Sequence, residues 1–362
     1  MMSYVAAAAA ILIGAAFVTF VVARRRASVR LSAGSRVIQT SRGPLEYASV
    51  GDGRAVLMFH GGMGGWDQGV VLAVDLLSRD GARPTYARCL ALGEQLLARP
   101  ARIIAPSRVG YLRTPLATGR TPADGADAAA ELLRELGISN AAVIGVSGGG
   151  PTPLQFAIRH THLTRSLAML AAISKAHTQP ARTTDNALAG IVFSRMGVWR
   201  VDLLVWGVQI IAPWRPRWLV HHLLKAGEAF DADVARRRAG QIAKDSTKFE
   251  WLRGLLASAF PFSLRKAGLV NDLQQFATIK EYDLTAIRCP TLVVHGRHDG
   301  NVPFDHAEFV ANAVPGARLM VVEDCGHFIW VSDQIADVRA AVVEFVHSSS
   351  MTQVSATNAT AS

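Results

Sequence analysis

The chain has 362 residues, half of them hydrophobic, which is ample material for one large α/β core plus an insertion. Its three cysteines, Cys89, Cys289 and Cys325, follow no metal spacing, and an odd, sparse count argues against a disulfide framework. The formal charge of +10 does not indicate a nucleic-acid partner: Arg24, Arg25, Arg26, Arg30, Arg36 and Arg42 crowd into one short stretch, no DNA- or RNA-reading module is recognisable elsewhere, and anionic lipid suits such a cluster better.

From the N-terminus, Tyr4 to Ala23 carries no charge over about twenty residues, the length of a bilayer-crossing helix. The arginines follow the apolar run rather than precede it, the reverse of a secretory signal. Residues 1–26 therefore read as a single-pass membrane anchor. The positive-inside rule puts the arginine side, and the rest of the chain, in the cytoplasm.

Arg36 to Val50 reads as an entry hairpin, and Ala55 to Phe59 as a strand running into His60-Gly61-Gly62-Met63-Gly64-Gly65. Gly69–Leu77 and Thr85–Ala98 have helical periodicity, with a loop over 78–84. A short buried strand at Arg102–Ala105 precedes an Ala- and Leu-rich helix, Thr121 to Leu136, ended by Gly137. The apolar run Ala141–Ile144 then meets Gly145-Val146-Ser147-Gly148-Gly149. Pro151 and Pro153 fall in the first turn of the next helix, where missing N–H groups cost little. Leu167–Ala171 is the next strand.

Residues 175–286 break the strand–helix alternation. They are helical in character and hold Trp199, Trp206, Trp214, Trp218 and Trp251, with Arg195, Arg200, Arg215 and Arg217 interspersed. They read as a cap whose apolar face roofs the site; the competing reading is a surface where tryptophan and arginine meet lipid headgroups. Strands resume at Pro290–Val294, followed by His295 to Asp299, and at Leu319–Val322, followed by Glu323-Asp324-Cys325-Gly326-His327. The tail, 348–362, is Ser-, Thr- and Ala-rich and reads as disordered.

A Gly-x-Ser-x-Gly turn between strand and helix strains the serine and lifts its hydroxyl clear of the sheet. Ser147 is the candidate nucleophile, His327 the base that takes its proton, and Asp299 the acid that holds the imidazole, in the chain order Ser, acid, His. Asp305, Asp324 and Glu323 compete for the acid's role, and His298 and His306 for the base's. The backbone N–H groups of Gly62, Met63 and Gly148 are the candidate oxyanion donors. His60 orders the glycine loop's backbone. His221-His222 lacks carboxylates at ligand spacing, and the Gly-rich loops match no nucleotide fingerprint, so the scheme calls for neither metal nor cofactor.

On His60-Gly61-Gly62, the Ser147 turn, Cys289–Gly296 leading to Asp299, and Gly326-His327-Phe328, the chain resembles the α/β-hydrolase superfamily over roughly residues 37–347. The resemblance implies a mostly parallel central sheet with helices on both faces: a core of 37–174 and 287–347 interrupted by a helical cap, 175–286. It also implies a serine hydrolase, with a fairly apolar carboxylic ester as the expected substrate. A carbon–carbon bond hydrolase, an acyl transferase or a ligand receptor on the same fold stays open. One departure stands out. Where many relatives read Asp-Arg-x-Gly-Tyr-Gly-x-Ser, this chain reads Ser107-Arg108-Val109-Gly110-Tyr111-Leu112-Arg113-Thr114.

Overall fold

The computed structural model describes residues 2–81, 84–177 and 198–348. The tail from 349 on, Arg195, and the cap's stretch 178–197 lie outside the described residues. Short apolar runs, too short for helices and buried on both faces in the central strands, form one sheet with more exposed edge strands. The strands are β1 (Arg36–Thr40), β2 (Gly43–Val50), β3 (Arg54–Phe59), β4 (Ala101–Pro106), β5 (Ala141–Val146), β6 (Thr164–Leu170), β7 (Thr291–Gly296) and β8 (Arg318–Val322). Their order is β1-β2-β4-β3-β5-β6-β7-β8. The β1–β2 hairpin and the β2–β4 pair are antiparallel, and every later pair is parallel.

The period of two along each strand sorts the core into two layers. Val56 and Met58 of β3, with Ile103, Ile144 and Val294, pack on one face under helices α2 (Trp66–Leu76), α3 (Tyr86–Leu96) and the last helix, Ile335–His347. Leu57 and Phe59, with Ile104, Val143 and Val293, pack on the other under α4 (Pro122–Glu135), α5 (Pro151–Arg159) and the helix Asp305–Ala313. Thr121 caps α4 through a reciprocal pair with Asp124, and Gly137 takes the left-handed conformation just past its end, with φ +67°.

The parallel neighbours β3 and β5 send their following helices to opposite sides of the sheet. The crevice at their C-terminal ends is the switch point where open α/β sheets bind ligands. Helices Val198–Ile211, Pro216–Gly227, Ala232–Lys244, Ser246–Ser258 and Lys266–Ala277 stand between β6 and β7, over this crevice. Two buried ion pairs fasten them down. Arg265 meets Asp67 of α2 at 3.1 Å, and Arg108, after β4, meets Asp272 at 2.7 Å.

The N-terminal helix α1 (Met2–Ala33) contains Tyr4–Ala33, long and apolar enough to cross a membrane, its most apolar stretch having a mean hydropathy of 2.6. It does not stop at residue 26. Its second half lies on the protein, with Phe20, Ala27 and Leu31 buried. Arg24 accordingly does not project freely beside the apolar run. Its guanidinium pairs with the buried carboxylate of Asp202 in the cap at 2.8 Å.

Candidate active site

β5 ends at Val146, and α5 begins five residues later at Pro151. Ser147 bridges them with φ +52°, a left-handed backbone that costs a non-glycine residue on the order of 1–3 kcal/mol. Its carbonyl oxygen accepts from the N–H groups of Gly150 and Ile173, both at 3.0 Å, which holds the strained turn in place. The turn packs against the glycine loop after β3 without space for a side chain: a Cβ at Gly149 would sit 2.4 Å from the carbonyl oxygen of His60.

The loops after β7 and β8 bring Asp299 and His327 to this turn. Ser147 Oγ lies 2.9 Å from His327 Nε2, and His327 Nδ1 lies 2.8 Å from Asp299 Oδ2. The other carboxylate oxygen of Asp299 accepts from the N–H groups of Asn301 and Val302, at 2.9 and 2.7 Å. Burial alone would raise the pKa of Asp299. The charge of His327, with hydrogen bonds from His295 and His327, outweighs it and holds the group down at about 2.

The glycine loop is fixed by side chains. Arg108 donates through Nε to the His60 carbonyl at 2.9 Å and through Nη2 to the Gly61 carbonyl at 3.2 Å. His60 Nδ1 lies 2.8 Å from the same Gly61 oxygen, while His60 Nε2 accepts the N–H of Arg108 at 3.0 Å. Burial, then the neighbouring Arg108, pushes the His60 pKa well down, so the ring is neutral with its proton on Nδ1. In a trans peptide the N–H points opposite to its carbonyl. With the Gly61 carbonyl turned to Arg108, the N–H of Gly62 is directed away from Arg108, toward the Ser147 side. A Cβ at Gly61 would lie 3.2 Å from Ser147 Cβ, and one at Gly148 would lie 3.5 Å from Gly62 N. Gly62, Gly148 and the Ser147 side chain therefore share one small space, and Met63 follows with φ +58°.

The walls of that space are apolar on the cap side. Leu269 reaches over Gly62 and Phe276 over Gly148, with Ile173 and Val302 packed behind Phe276. A cavity of about 30 Å³ lies against Gly148, bordered by Arg108, Asp272, Asn271 and Phe276. The buried Oδ1 of Asn271 has no partner among the described residues there.

The competing residues are engaged elsewhere. Asp305 pairs with Lys175 and Glu323 with Arg297, at 2.8 and 3.0 Å, and Asp324 accepts from Ser332 and from the N–H of Asp333. His306 Nδ1 accepts from the N–H of Ser174 at 3.1 Å, and the His298 ring packs at a tilt against Phe230. Three contributors were not singled out from sequence. His295 Nε2 lies 3.3 Å from Asp299 Oδ2, Asp272 anchors Arg108, and Gly227 accepts the N–H of His327 at 2.9 Å. His295 was legible only as a polar residue closing an otherwise apolar strand. Asp272 and Gly227 gave no signal.

Comparison with known proteins places the fold in a family. Residues 56–341 match the model of an alpha/beta hydrolase family. The chain is similar to an uncharacterized hydrolase, YcgS, of Bacillus subtilis (strain 168), with 26% identity over 84% of this chain and 96% of that one. It is also similar to a 2-hydroxymuconate semialdehyde hydrolase of Pseudomonas putida, with 26% identity over 67% of this chain and 75% of that one. Among solved structures it resembles an alpha/beta hydrolase fold protein from Nakamurella multipartita, at 30% identity and TM-score 0.71, covering 86% of this chain and 98% of that one. The strand order, the Ser147 turn and the matched span lead to one conclusion: the chain belongs to the alpha/beta hydrolase family and is a hydrolase.

Proposed function

We propose that the chain cleaves carboxylic esters of fairly apolar acids through an acyl-enzyme on Ser147. The observation that carries the reading is the continuous series Asp299–His327–Ser147, with both links under 3 Å. Ser147 Oγ attacks the ester carbonyl as its proton passes to His327 Nε2, and Asp299 stabilises the imidazolium. The tetrahedral oxyanion is received by the N–H groups of Gly62 and Gly148, with Met63 next in line; one such donor is worth roughly 3 kcal/mol of barrier. Collapse returns the proton to the departing alcohol. Water, activated by the same imidazole, then releases the acid and restores Ser147. Leu269 and Phe276 beside the serine motivate an apolar acyl group. The scheme uses no cofactor.

Likeness to the Pseudomonas putida semialdehyde hydrolase favours a second reading, hydrolysis of a carbon–carbon bond at the same serine. An acyl-length series of p-nitrophenyl esters, run beside a vinylogous diketone, separates the two. The ester reading expects turnover that rises with acyl length and slow cleavage of the diketone. The opposite ranking assigns the carbon–carbon reaction.

We read α1 as a single-pass anchor with the remainder of the chain in the cytoplasm. The uncharged run followed by Arg24, Arg25 and Arg26 supports this orientation. Protease protection of the C-terminal domain in sealed inverted vesicles would overturn it.

A further inference from the structure

The first helix changes character at Phe20. Ile11, Leu12, Ile13, Phe17 and Val18 are 56–72% exposed, whereas Phe20 is 1% exposed. The Phe20 ring packs edge-on against Trp206 and Trp199 of the cap helix Val198–Ile211, at 5.7 and 6.2 Å. One turn later, Arg24 pairs with Asp202 and lies over the Trp199 ring at 4.3 Å. Phe20 and Arg24 of α1 thus both rest on this one cap helix. Beyond these contacts the cap helix ends in the exposed Ile210 and Ile211, followed by the exposed Trp214.

That end is an oily surface. Outside α1, seven of the ten large exposed apolar side chains among the described residues fall between Trp199 and Trp218, and Trp214 is 83% exposed. The charges exposed along the segment, Arg200, Arg215 and Arg217, are all positive, as are Arg25 and Arg26 on the adjoining α1. The segment's one acid, Asp202, is buried and paired with Arg24. Exposed tryptophan with a basic rim is the composition that seats in the headgroup layer of an anionic bilayer. A soluble monomer seldom leaves so concentrated an apolar patch bare.

We propose that the face from Trp199 to Trp218 docks on an anionic lipid bilayer, the same membrane that holds α1, so that the cap rests on its surface. The proposal builds on the reading of α1 as an anchor. It extends the functional reading by naming the source of substrate, an ester dissolved in the bilayer. The helix Pro216–Gly227 starts at the docking face and ends where Gly227 accepts the His327 N–H, which puts lipid and Ser147 at opposite ends of one cap element.

The test reconstitutes the full chain in phosphatidylcholine–phosphatidylglycerol vesicles with brominated acyl chains and reads tryptophan emission. Quenching is expected in the wild type, with most of it lost in W214F/W218F and less of it in vesicles of phosphatidylcholine alone. Equal quenching in W214F/W218F and the wild type overturns the proposal, as does absent quenching in a chain that floats with the vesicles. A chain that does not float at all overturns both the docking face and the anchor. Absent quenching with a dimer in detergent assigns the face to a second copy instead. Hydrolysis of a water-soluble ester, followed in parallel, keeps the functional reading separate: its loss with quenching intact sinks the esterase alone.

Discussion

The carbonyl of Gly227, at the end of a cap helix, accepts the amide hydrogen of His327 at 2.9 Å. The same carbonyl accepts from Gly300 N at 3.2 Å, Ala229 N donates to the His298 carbonyl at 2.8 Å, and Glu228 forms a backbone bridge to Asp299. One cap turn thereby holds the loops of both His327 and Asp299. A Cβ at Gly227 would sit 2.5 Å from Phe328 Cε2 and 3.2 Å from His327 Cβ. Gly227→Ala is therefore expected to shift His327 and lower kcat by about 10²-fold, the cost of roughly an ångström of misplacement. KM should change far less, and a kcat within twofold of wild type would contradict this coupling.

Acid should weaken the fold, with His306 and Asp299 contributing in different pH ranges. Burial first, then the neighbouring His177, pushes the His306 pKa from 6.5 down to about 4, against the opposing pull of Asp305. Its folded pKa is depressed, so this stability is full above pH 6.5 and is lost as pH falls toward 4, about 3 kcal/mol in all. Asp299, lowered from 3.8 to about 2, adds a loss only below 3.8. Urea midpoints measured from pH 7 to 4 should fall, and His306→Asn should flatten the slope. The Asp299 value has a kinetic consequence too. Asp299 stays ionised through pH 4, so its protonation is not expected to shape kcat/KM above that pH.

Arg24 ties α1 to the cap through a carboxylate that is fully buried, while its own side chain is about a quarter exposed. Removing one partner of a buried pair costs about 3–5 kcal/mol; with Arg24 partly hydrated and Ser263 still donating to Asp202, about 2 kcal/mol is expected for Arg24→Ala. Hydrogen exchange in detergent should quicken in the helix Val198–Ile211 and stay unchanged in β3 and β5. Uniform protection across the variant would show that α1 does not brace the cap.

The departure at Ser107 has a structural answer. The family resemblance leads one to expect an acid there; here Glu46 of β2, 1% exposed, brings a carboxylate to Ser107 from the neighbouring strand. It accepts from Ser107 Oγ at 2.8 Å, from Ser35 Oγ at 2.7 Å, and from the backbone and guanidinium of Arg113 at 3.0 and 2.7 Å. Glu46→Ala is expected to cost about 3 kcal/mol, with part of it restored by adding Ser107→Asp. Thermal melts of the single and double variants decide it. Additive losses would refute the exchange.

Local chemistry was legible in the sequence. Thr121 and Gly137 bound α4 because a cap and a left-handed stop act within a few residues, and Ser147 declared itself through the small neighbours its turn requires. The rest depended on residues far apart in sequence. Nothing local to Glu46 says that Ser107, 61 positions away, will need its carboxylate. Nor does Arg24 announce Asp202, 178 positions on, so the charge after the apolar run read as a free flank when part of it is buried against the cap. Among the acids, Asp299 lies beside His327 while Asp324 accepts from Ser332, contacts made by the loops after β7 and β8 that no local pattern announces.

The most direct test of the account is covalent: incubate the full chain in detergent with a fluorophosphonate and locate the adduct by mass spectrometry. The account predicts one adduct, on Ser147, none in Ser147→Ala, and labelling slowed at least about 10²-fold in His327→Gln. Undiminished labelling in Ser147→Ala, or an adduct on another residue in the wild type, would contradict it.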